Sequence, residues 1–504
     1  MDNSKRKQVF VFLAILLIAV IGGILGYRLD GDVMWHFKTG EYIVTNRIIP
    51  HTDVFSWQQG LNWMCHEWLY DIVLFLFYSN FGETAVKGLL IIALLVPLFI
   101  SYQYNKKDIK YPVLYLVYLI FIMAFWNNSY CARPGEFSIG ILLIESILLV
   151  SDYKHRNISS FLLAILMVNI HGGSIAELLV LPLLLLISDI VSDLALDKDV
   201  FKNIQTHVIS FMCIFAGSLI NPYGIRIYKY TIDNFMKSGY INSHIQEWMP
   251  TTFVVLMAVF VVGMLLCMGA DEKFKEFDKK AIRTVIIICA FTCEGMTIKR
   301  MYFPASCVLM VFGYQYLEKY LDRLLNLTWN KYFKKPLIPK KLYKLITEIG
   351  IVFTGCMTLT CTVLYLGASD IHKSFIETVD EKNPEMKEIS DYMKEKKIDG
   401  KIYNMYGDGG TLILHDIKTF VDPRCDPFME GFSDTTSLYD YCVASDAKKT
   451  TKYEAFKEMS EKYNFEYALT NKSYPTDREV IKGLKDDDCE VLVENDKYAL
   501  IKIK

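Results

Sequence analysis

Residues 28 to 71 read RLDGDVMWHFKTGEYIVTNRIIPHTDVFSWQQGLNWMCHEWLYD, the first long polar stretch after a hydrophobic N-terminal run. It holds Trp35, Trp57, Trp63 and Trp68, four of the seven tryptophans in the chain. It also holds Asp30, Asp32, Asp53 and Glu67 together with His36, His51 and His66. Indole rings at this density suit a membrane–water interface, where the ring sits among headgroups and its N–H stays wet. Carboxylates and imidazoles in the same segment suit acid–base or metal chemistry. A connector between two helices needs neither.

The sequence on either side of this stretch is that of a membrane protein. The chain has 504 residues, 52% of them hydrophobic, with a mean hydropathy of +0.24. Residues 8 to 27 (QVFVFLAILLIAVIGGILGY) carry no charge and follow Lys5, Arg6 and Lys7. They are long enough to span a bilayer. No small-residue cleavage site follows, so an uncleaved first helix is expected. Further apolar runs lie at about 67–81, 84–102, 111–127, 136–151, 158–170, 173–192, 205–220, 252–269, 281–298, 301–317 and 343–367. Backbone groups in lipid must be satisfied within a segment, so these are read as helices. The expectation is an α-helical polytopic membrane protein with about 11–13 transmembrane helices. The twelve cysteines form no CxxC pair, and seven lie in apolar runs, where cysteine behaves as a small hydrophobe. No disulfide framework is expected.

Charge orients the helices. From residue 371 on there are 21 basic and 28 acidic residues, a balance of −7, which leaves 33 against 28, or +5, before it. The clusters Lys5–Lys7, Lys106–Lys110, Lys154/Arg156, Lys198/Lys202, Lys273–Arg283 and Lys319–Lys344 are read as cytoplasmic by the positive-inside rule. The opposite loops carry the residues with chemical character. Residues 1–370 are thus expected to form a multi-spanning domain of the cell (plasma) membrane with a catalytic first outer loop at 28–67. The tail, 371–504, is expected outside the cytoplasm. Twelve full crossings would instead return the tail to the inside. Either 67–81 is not a full crossing, or a stretch such as 111–134 is broken. Nothing in the charge distribution suggests a nucleic-acid partner.

The tail alternates helix and strand. PEMKEISDYMKEKK, TKYEAFKEMSEKY and DREVIKGLKD read as helices, and KIYNMY, KTFVD and FEYALT as strands. VLVENDKYALIKI reads as a hairpin turning near Asn495–Asp496. A small α/β domain is expected, and about 130 residues suffice for its own core.

Each chemical motif has a plain reading beside it. One acid where the first helix leaves the membrane is a solvated helix end. Two, Asp30 and Asp32, followed by Trp35 and His36, suit a general base for a sugar or lipid hydroxyl, because partial burial raises carboxylate basicity. Glu67 could complement a helix dipole. With His66 and Asp53 it could instead hold a phosphate or a divalent ion such as Mg or Mn. Asp32, Asp53, His66 and Glu67 are the candidate ligands, with no spacing that is diagnostic. Arg133, His171, Arg226 and Lys299–Arg300 sit at helix ends on one side, where ionisable residues mark function unless they merely snorkel. Arg133 precedes Pro134 and Gly135, and a guanidinium grips phosphate in two places. Glu247 and Trp248 close the 222–250 loop. Gly407, Gly409 and Gly410 could cradle an anion or simply turn a strand into a helix. Asp422, Arg424 and Asp426 could contact sugar hydroxyls or form a structural ion-pair cluster.

With these motifs in hand, the chain resembles the C-superfamily of integral membrane glycosyltransferases, and within it a bacterial set of mannosyltransferase-like membrane proteins. The shared residues are Asp32, Trp35, His36, Gly40, Glu41, Ile49, Pro50, Asp53, Phe55 and Ser56, then His66–Leu69. Further on come Arg133-Pro134, Asn169 with His171 and Gly172, Asn221–Gly224, and Glu247-Trp248. The tail adds Asn404, Tyr406, Gly409, Gly410, Asp422, Arg424 and Asp426. Met34 stands where a second tryptophan is expected, which would alter the aromatic wall. The resemblance implies an extracytoplasmic active site and a polyprenyl-phosphate-linked sugar donor. It implies an inverting transfer to a glycan, lipid or protein acceptor. Asp32 is then the base, with Asp30 or Glu67 in reserve, and Arg133, His171 and Arg300 are phosphate-binding candidates. The acidic tail would bind or gate the acceptor. A transporter or flippase of a lipid-linked glycan would also carry charges at helix ends. It would more often show inverted repeats, and none is evident. An acyltransferase or glycan polymerase using His171 fits the acidic first loop poorly.

Overall fold

The structure is a computed structural model. It describes residues 3–126, 132–196, 201–237, 239–245, 248–249, 278–321, 340–367, 373–446 and 451–503. Among these, Ser4–Gly26, Glu83–Asn105, Gly172–Leu194 and Glu348–Gly367 are helices long and apolar enough to cross a membrane. Trp68–Phe81, Pro112–Met123, Arg156–Ile170 and Ile204–Ser218 are shorter apolar helices. The run expected at 252–269 lies outside the described residues.

The chain divides into two compact units. The first comprises Met1–Arg28, Lys87–Gly224 and Gln246–Ser369. The second comprises Leu29–Val86, Ile225–Ile245 and Asp370–Lys504. The second unit therefore starts from three separate pieces of sequence: the first polar stretch, part of the 222–250 loop, and the tail.

In the first unit the helix Lys340–Gly367 lies along Asn3–Gly26 and runs in the same direction. Arg6 pairs with Glu348 at 2.9 Å, Thr358 donates to the Leu13 carbonyl at 3.4 Å, and Tyr365 to the Gly23 carbonyl at 2.9 Å. First and last helices that cross in one direction require an odd number of crossings, so the twelve apolar runs are not all spans. Trp68–Phe81 falls short: its 14 residues reach about 21 Å at about 1.5 Å per residue, against a hydrocarbon core of about 30 Å. Several polar groups between the helices are paired, as lipid favours. Ser101 donates to the Met310 carbonyl at 2.8 Å, Asn105 to Val311 at 2.9 Å, and Trp126 to the Ser306 hydroxyl at 2.9 Å. Ile175–Ala195 and Lys279–Thr297 pack antiparallel. Lys279 reaches Asp193 at 2.7 Å, and Arg283 grips Asp189 through two nitrogens at 2.7 Å each.

The second unit contains a four-stranded sheet. Its strands are β1 (Ile402–Asn404), β2 (Tyr467–Asn471), β3 (Glu490–Glu494) and β4 (Tyr498–Lys502), in the order β1-β2-β4-β3. β1 and β2 are parallel and the other pairs antiparallel. The helices Pro384–Glu395, Lys452–Tyr463 and Pro475–Asp486 fall where the sequence places them. Asn495 turns the hairpin, its side-chain oxygen accepting from the Tyr498 N–H at 2.8 Å. KTFVD, expected as a strand, does not join the sheet. Its backbone pairs with the first polar stretch instead: the Trp57 N–H donates to Thr419 at 3.2 Å and the Thr419 N–H to Phe55 at 3.2 Å. Asn404 holds it from the other side, donating to Val421 and accepting from the Phe420 N–H.

Two contacts fix these pieces to one another. One is steric. A Cβ on Gly410 would lie 2.0 Å from the Gly31 carbonyl, so the helices Gly31–Asn46 and Gly409–Leu414 touch only because position 410 is glycine. The glycine run thus turns a strand into a tightly packed helix. Met34 belongs to this contact, its sulfur taking the Thr411 hydroxyl at 3.2 Å. The other is electrostatic. Arg424 donates to both oxygens of Asp422, at 2.8 and 2.7 Å, and to Asp53 at 2.6 Å. Its guanidinium lies over the rings of Trp63 and Phe55, at 4.6 and 5.1 Å. Asp53 also accepts from Ser56 and from the Phe55 and Ser56 N–H groups. Burial works against the Arg424 charge, but Asp422 and Asp53 outweigh it and hold the guanidinium protonated. Burial likewise opposes the Asp53 charge, and Arg424, Ser56 and Phe55 bring its carboxyl below the ordinary value.

Arg424→Ala leaves two buried carboxylates without their cation, a loss of about 3–5 kcal/mol. Arg424→Lys should also destabilise, because an ammonium cannot form the fork. Thermal unfolding of the purified full chain, followed by tryptophan fluorescence, checks both; unchanged midpoints would contradict the lock.

Candidate active site

The helix Gly31–Asn46 begins with two acids in different roles. Asp30 is its N-cap, in extended conformation, accepting the Val33 N–H at 3.1 Å. That accounts for Asp30 as a structural residue. Asp32 lies in the first turn, half-buried, and accepts the Trp35 indole N–H at 3.3 Å. The following turn is buried. The Trp35 and His36 rings lie 3.6 Å apart, and His36 Nδ1 is 2.6 Å from Asp71 Oδ1. The His36 Nε2 is 3.9 Å from Glu67, and the Cys65 thiol donates to Asp71 at 3.4 Å. Gly40 lets this helix touch Trp68–Phe81: a Cβ there would lie 2.0 Å from the Asp71 carbonyl. The tryptophans expected at a wet interface serve inside the fold. Trp63 is buried beneath Arg424, and Trp57 donates to the Ile402 carbonyl at 3.0 Å while stacking on Phe420.

The tail and the 225–245 segment complete the cluster. The Tyr230 hydroxyl is 2.8 Å from His66 Nε2 and also hydrogen-bonds Asp426. Burial pushes the Asp426 carboxyl up to about 7, with Tyr230 and Arg424 opposing the rise. Burial pushes the Tyr230 phenol well above its ordinary range, and Asp426 adds to that. The Tyr406 hydroxyl lies 2.8 Å from the Cys425 sulfur. Asp32 acts electrostatically on both Tyr406 and Cys425, and its neighbour Gly31 packs against the tail, where a Cβ would meet the Gly407 carbonyl at 3.4 Å and Pro423 at 3.8 Å. Cys425 holds φ +60°, a conformation unusual for a residue with a side chain. Of the expected site residues, Asp30, Asp32, Trp35, His36, Asp53, His66, Glu67, Asp422, Arg424 and Asp426 all fall in this unit. Asp53, Asp422 and Arg424 are the buried ion-pair cluster described above.

The remaining candidates lie in the first unit. Arg133 precedes the helix Pro134–Val150, and His171 packs on that helix's first turn, its Nδ1 3.1 Å from the Ser138 hydroxyl and 2.8 Å from Ser174. Asn169 donates to the Ile220 carbonyl at 2.8 Å, and Asn221 closes the adjoining turn by accepting the Tyr223 N–H. Arg300 lies 5.8 Å over the Trp248 ring and acts electrostatically on Glu177 in the first turn of Ile175–Ala195. Antiparallel packing of the helices thus gathers Arg133, Asn169, His171, Asn221 and Arg300 at one end. Glu247 lies outside the described residues.

Among the described residues no group of three or more His, Cys, Asp or Glu could hold a metal ion. Asp53 is committed to Arg424, so Asp32, Asp53, His66 and Glu67 do not fit a four-ligand site. Asp71, Tyr230 and Cys425 belong to the cluster without having been singled out in the sequence, and Tyr406 was marked there only as a motif residue. Asp71 was accessible: it follows Glu67 by four residues at a helix start, which puts both on one face. Tyr230, far from either segment in sequence, offered no such signal.

Folding raises the Asp426 carboxyl from 3.8 to about 7, so its neutral form is favoured in the folded state. The resulting stabilisation is complete below 3.8 and lost as pH rises through about 7. Asp477, buried and also held near 7, adds to the same window. Thermal midpoints should therefore fall between pH 5 and pH 8, and Asp426→Asn should reduce that slope, leaving the part due to Asp477. An identical slope in the variant would contradict the assignment.

No protein-family model matches the chain, and no curated protein matches its sequence. Solved structures do match its fold. ArnT from Cupriavidus metallidurans bound to undecaprenyl phosphate superposes with a TM-score of 0.54 at 12% identity, covering 98% of this chain and 97% of that one. The Archaeoglobus fulgidus oligosaccharyltransferase, tethered with an acceptor peptide containing the NVT sequon, gives a TM-score of 0.53 at 12% identity, covering 91% of this chain and 69% of the other. Identity this low speaks to architecture alone: this chain shares the fold of these two proteins.

Proposed function

We propose that the protein transfers a sugar from a polyprenyl-phosphate-linked donor to an acceptor on the extracytoplasmic side of the plasma membrane, with inversion, and that Asp32 is the general base. The observation that carries this reading is the position of Asp32. It is a half-buried carboxylate in the first turn of a helix, bonded to one indole N–H, on a helix start that packs against Gly407 and Pro423 of the tail. The fold supports it, since one structure with this architecture holds undecaprenyl phosphate and another an acceptor peptide.

In this mechanism Asp32 takes the proton of the acceptor hydroxyl as its oxygen attacks the anomeric carbon. The bond from that carbon to the phosphate oxygen breaks, and the lipid phosphate leaves with the electron pair. Arg133, His171 and Arg300 are the groups proposed to meet its charge. Asp30 holds the helix start, and the His36–Asp71 pair beneath fixes the turn that carries Asp32.

Asp32→Asn keeps shape but removes the basic lone pair, which should lower the transfer rate by about 10² to 10⁴ while leaving donor affinity nearly unchanged. Asp30→Asn retains an N-cap side chain and should cost far less. Transfer rates and donor binding for the two variants decide the matter; full activity in Asp32→Asn would remove it as the base.

The proposed orientation has its own test. The first and last helices run in the same direction, and the basic loops place their start in the cytoplasm. In a cysteine-free background, a cysteine at Asp496, exposed near the hairpin turn, should react with a membrane-impermeant thiol reagent on intact cells. One at Lys107 should react only after lysis. The reverse pattern would invert the topology.

A further inference from the structure

The helix Arg226–Lys237 has two faces of opposite character. Ile227 and Tyr230 are buried. On the other side Ile225, Ile232 and Met236 are 59%, 56% and 79% exposed. Positions 225, 229, 232 and 236 fall on one line of a helix, so Lys229 stands in the same stripe. Its ammonium leans out to Asp233 at 2.9 Å, and Arg226 lies exposed on that flank. Nearby, the exposed Tyr240 ring lies 5.1 Å from Tyr439. Tyr439 and Val443, one turn apart on the helix Ser437–Asp446, are exposed as well. Scattered apolar side chains are ordinary on a soluble surface. An aligned set edged by basic residues is the pattern of a helix lying in a membrane interface.

The chain on either side says what covers this face. The apolar helix Phe201–Ser218 has 18 residues, about 27 Å of rise against a hydrocarbon core of about 30 Å. It ends just before the turn Asn221–Gly224, which the Gly224 N–H closes on the Asn221 carbonyl at 3.2 Å. Fully extended, the chain from Ser218 to Arg226 reaches at most about 29 Å, and the turn shortens that. The apolar run 252–269, outside the described residues, follows in sequence. A segment tied this closely to apolar runs at both ends stays beside the bilayer surface. Its charges agree, because Arg226 and Lys229 suit anionic headgroups. A second copy of the chain fits less well, since a two-fold contact would set the same cations on both sides of a small interface.

We propose that Arg226–Lys237 is an interfacial helix. Ile225, Ile232 and Met236 enter the lipid leaflet on the side where Phe201–Ser218 ends, with Arg226 and Lys229 among its anionic headgroups. Such a helix sinks its apolar face about 5–10 Å into the headgroup–acyl boundary. The opposite face carries Tyr230, whose hydroxyl lies 2.8 Å from His66 and also bonds Asp426. A helix is about 10–12 Å across with its side chains, so His66 and Asp426 stand about one helix diameter from the lipid. The second unit is thereby seated on the membrane through its own residues. The inference rests on no part of the glycosyl-transfer reading.

The test places the photoreactive residue p-benzoylphenylalanine singly at Ile232 or Met236 of the full chain, with the native cysteines kept. The protein is held in nanodiscs of phosphatidylcholine and phosphatidylglycerol, irradiated, and digested for mass spectrometry. Val352, exposed on the span Glu348–Gly367, is the lipid-facing reference, and Asp496 near the hairpin turn is the aqueous one. Lipid adducts at positions 232 and 236 should match the yield at Val352 and exceed that at Asp496 at least about tenfold. Thermal midpoints should stay at the wild-type value, because both positions are exposed. Met236, the more exposed, carries the test alone if the Ile232 chain unfolds. The proposal is overturned if the yields equal that at Asp496. It is equally overturned if the two positions couple to protein instead of lipid, whether a second copy or another part of the same chain.

Discussion

Arg424 is the cation on which the second unit depends. Its fork takes both oxygens of Asp422 from its own turn, and its remaining nitrogen takes Asp53 from a segment 371 residues earlier. Burying one guanidinium against two carboxylates is tolerable only because further donors complete the set: Ser56 and two backbone N–H groups on Asp53, and Thr419 on Asp422. Trp63 and Phe55 roof the charge. Segments that the sequence presents as a membrane loop and a soluble tail are thereby one folded body. Asp32 is held within that body: the lock fixes the Asp422–Asp426 turn, and Pro423 of that turn packs against Gly31, the residue before Asp32.

The sequence made the elements of the tail legible wherever periodicity was local. The three amphipathic helices and the closing hairpin follow from residue patterns alone, with Asn495 supplying the turn. KTFVD was misread because its alternation is real but its partner is not in the sheet; a strand pattern does not say which backbone it will pair with. The membrane helices were legible by hydropathy, yet their number was not. Direction had to come from the Arg6–Glu348, Leu13–Thr358 and Gly23–Tyr365 contacts, which no apolar run encodes.

Legibility of the site divides in the same way. Asp30 and Asp32 look alike as letters, and only geometry separates the cap from the half-buried carboxylate of the first turn. Asp422, Arg424 and Asp426 stood open between sugar contact and structural ion pair. The first two are the ion pair, whereas Asp426 turns instead to Tyr230. Gly407, Gly409 and Gly410 look like an anion cradle, but the 2.0 Å approach of Gly410 to Gly31 assigns that glycine to packing. Met34, out of place in an aromatic wall, has its sulfur on Thr411 of the tail. Residues whose role depends on contacts across hundreds of positions, such as Tyr230, leave no mark that a single sequence can show.

The central claim is that this fold carries glycosyl transfer from a lipid-linked donor. The most direct measurement is to present the purified protein, reconstituted in liposomes, with a panel of polyprenyl-phosphate sugars and candidate acceptor glycans, and to follow both the lipid and the sugar. The account predicts that one donor is consumed, with polyprenyl phosphate released and the sugar found on the acceptor in inverted configuration. Movement of an intact sugar-lipid between leaflets, with no cleavage of any donor, would contradict it and identify a transporter instead.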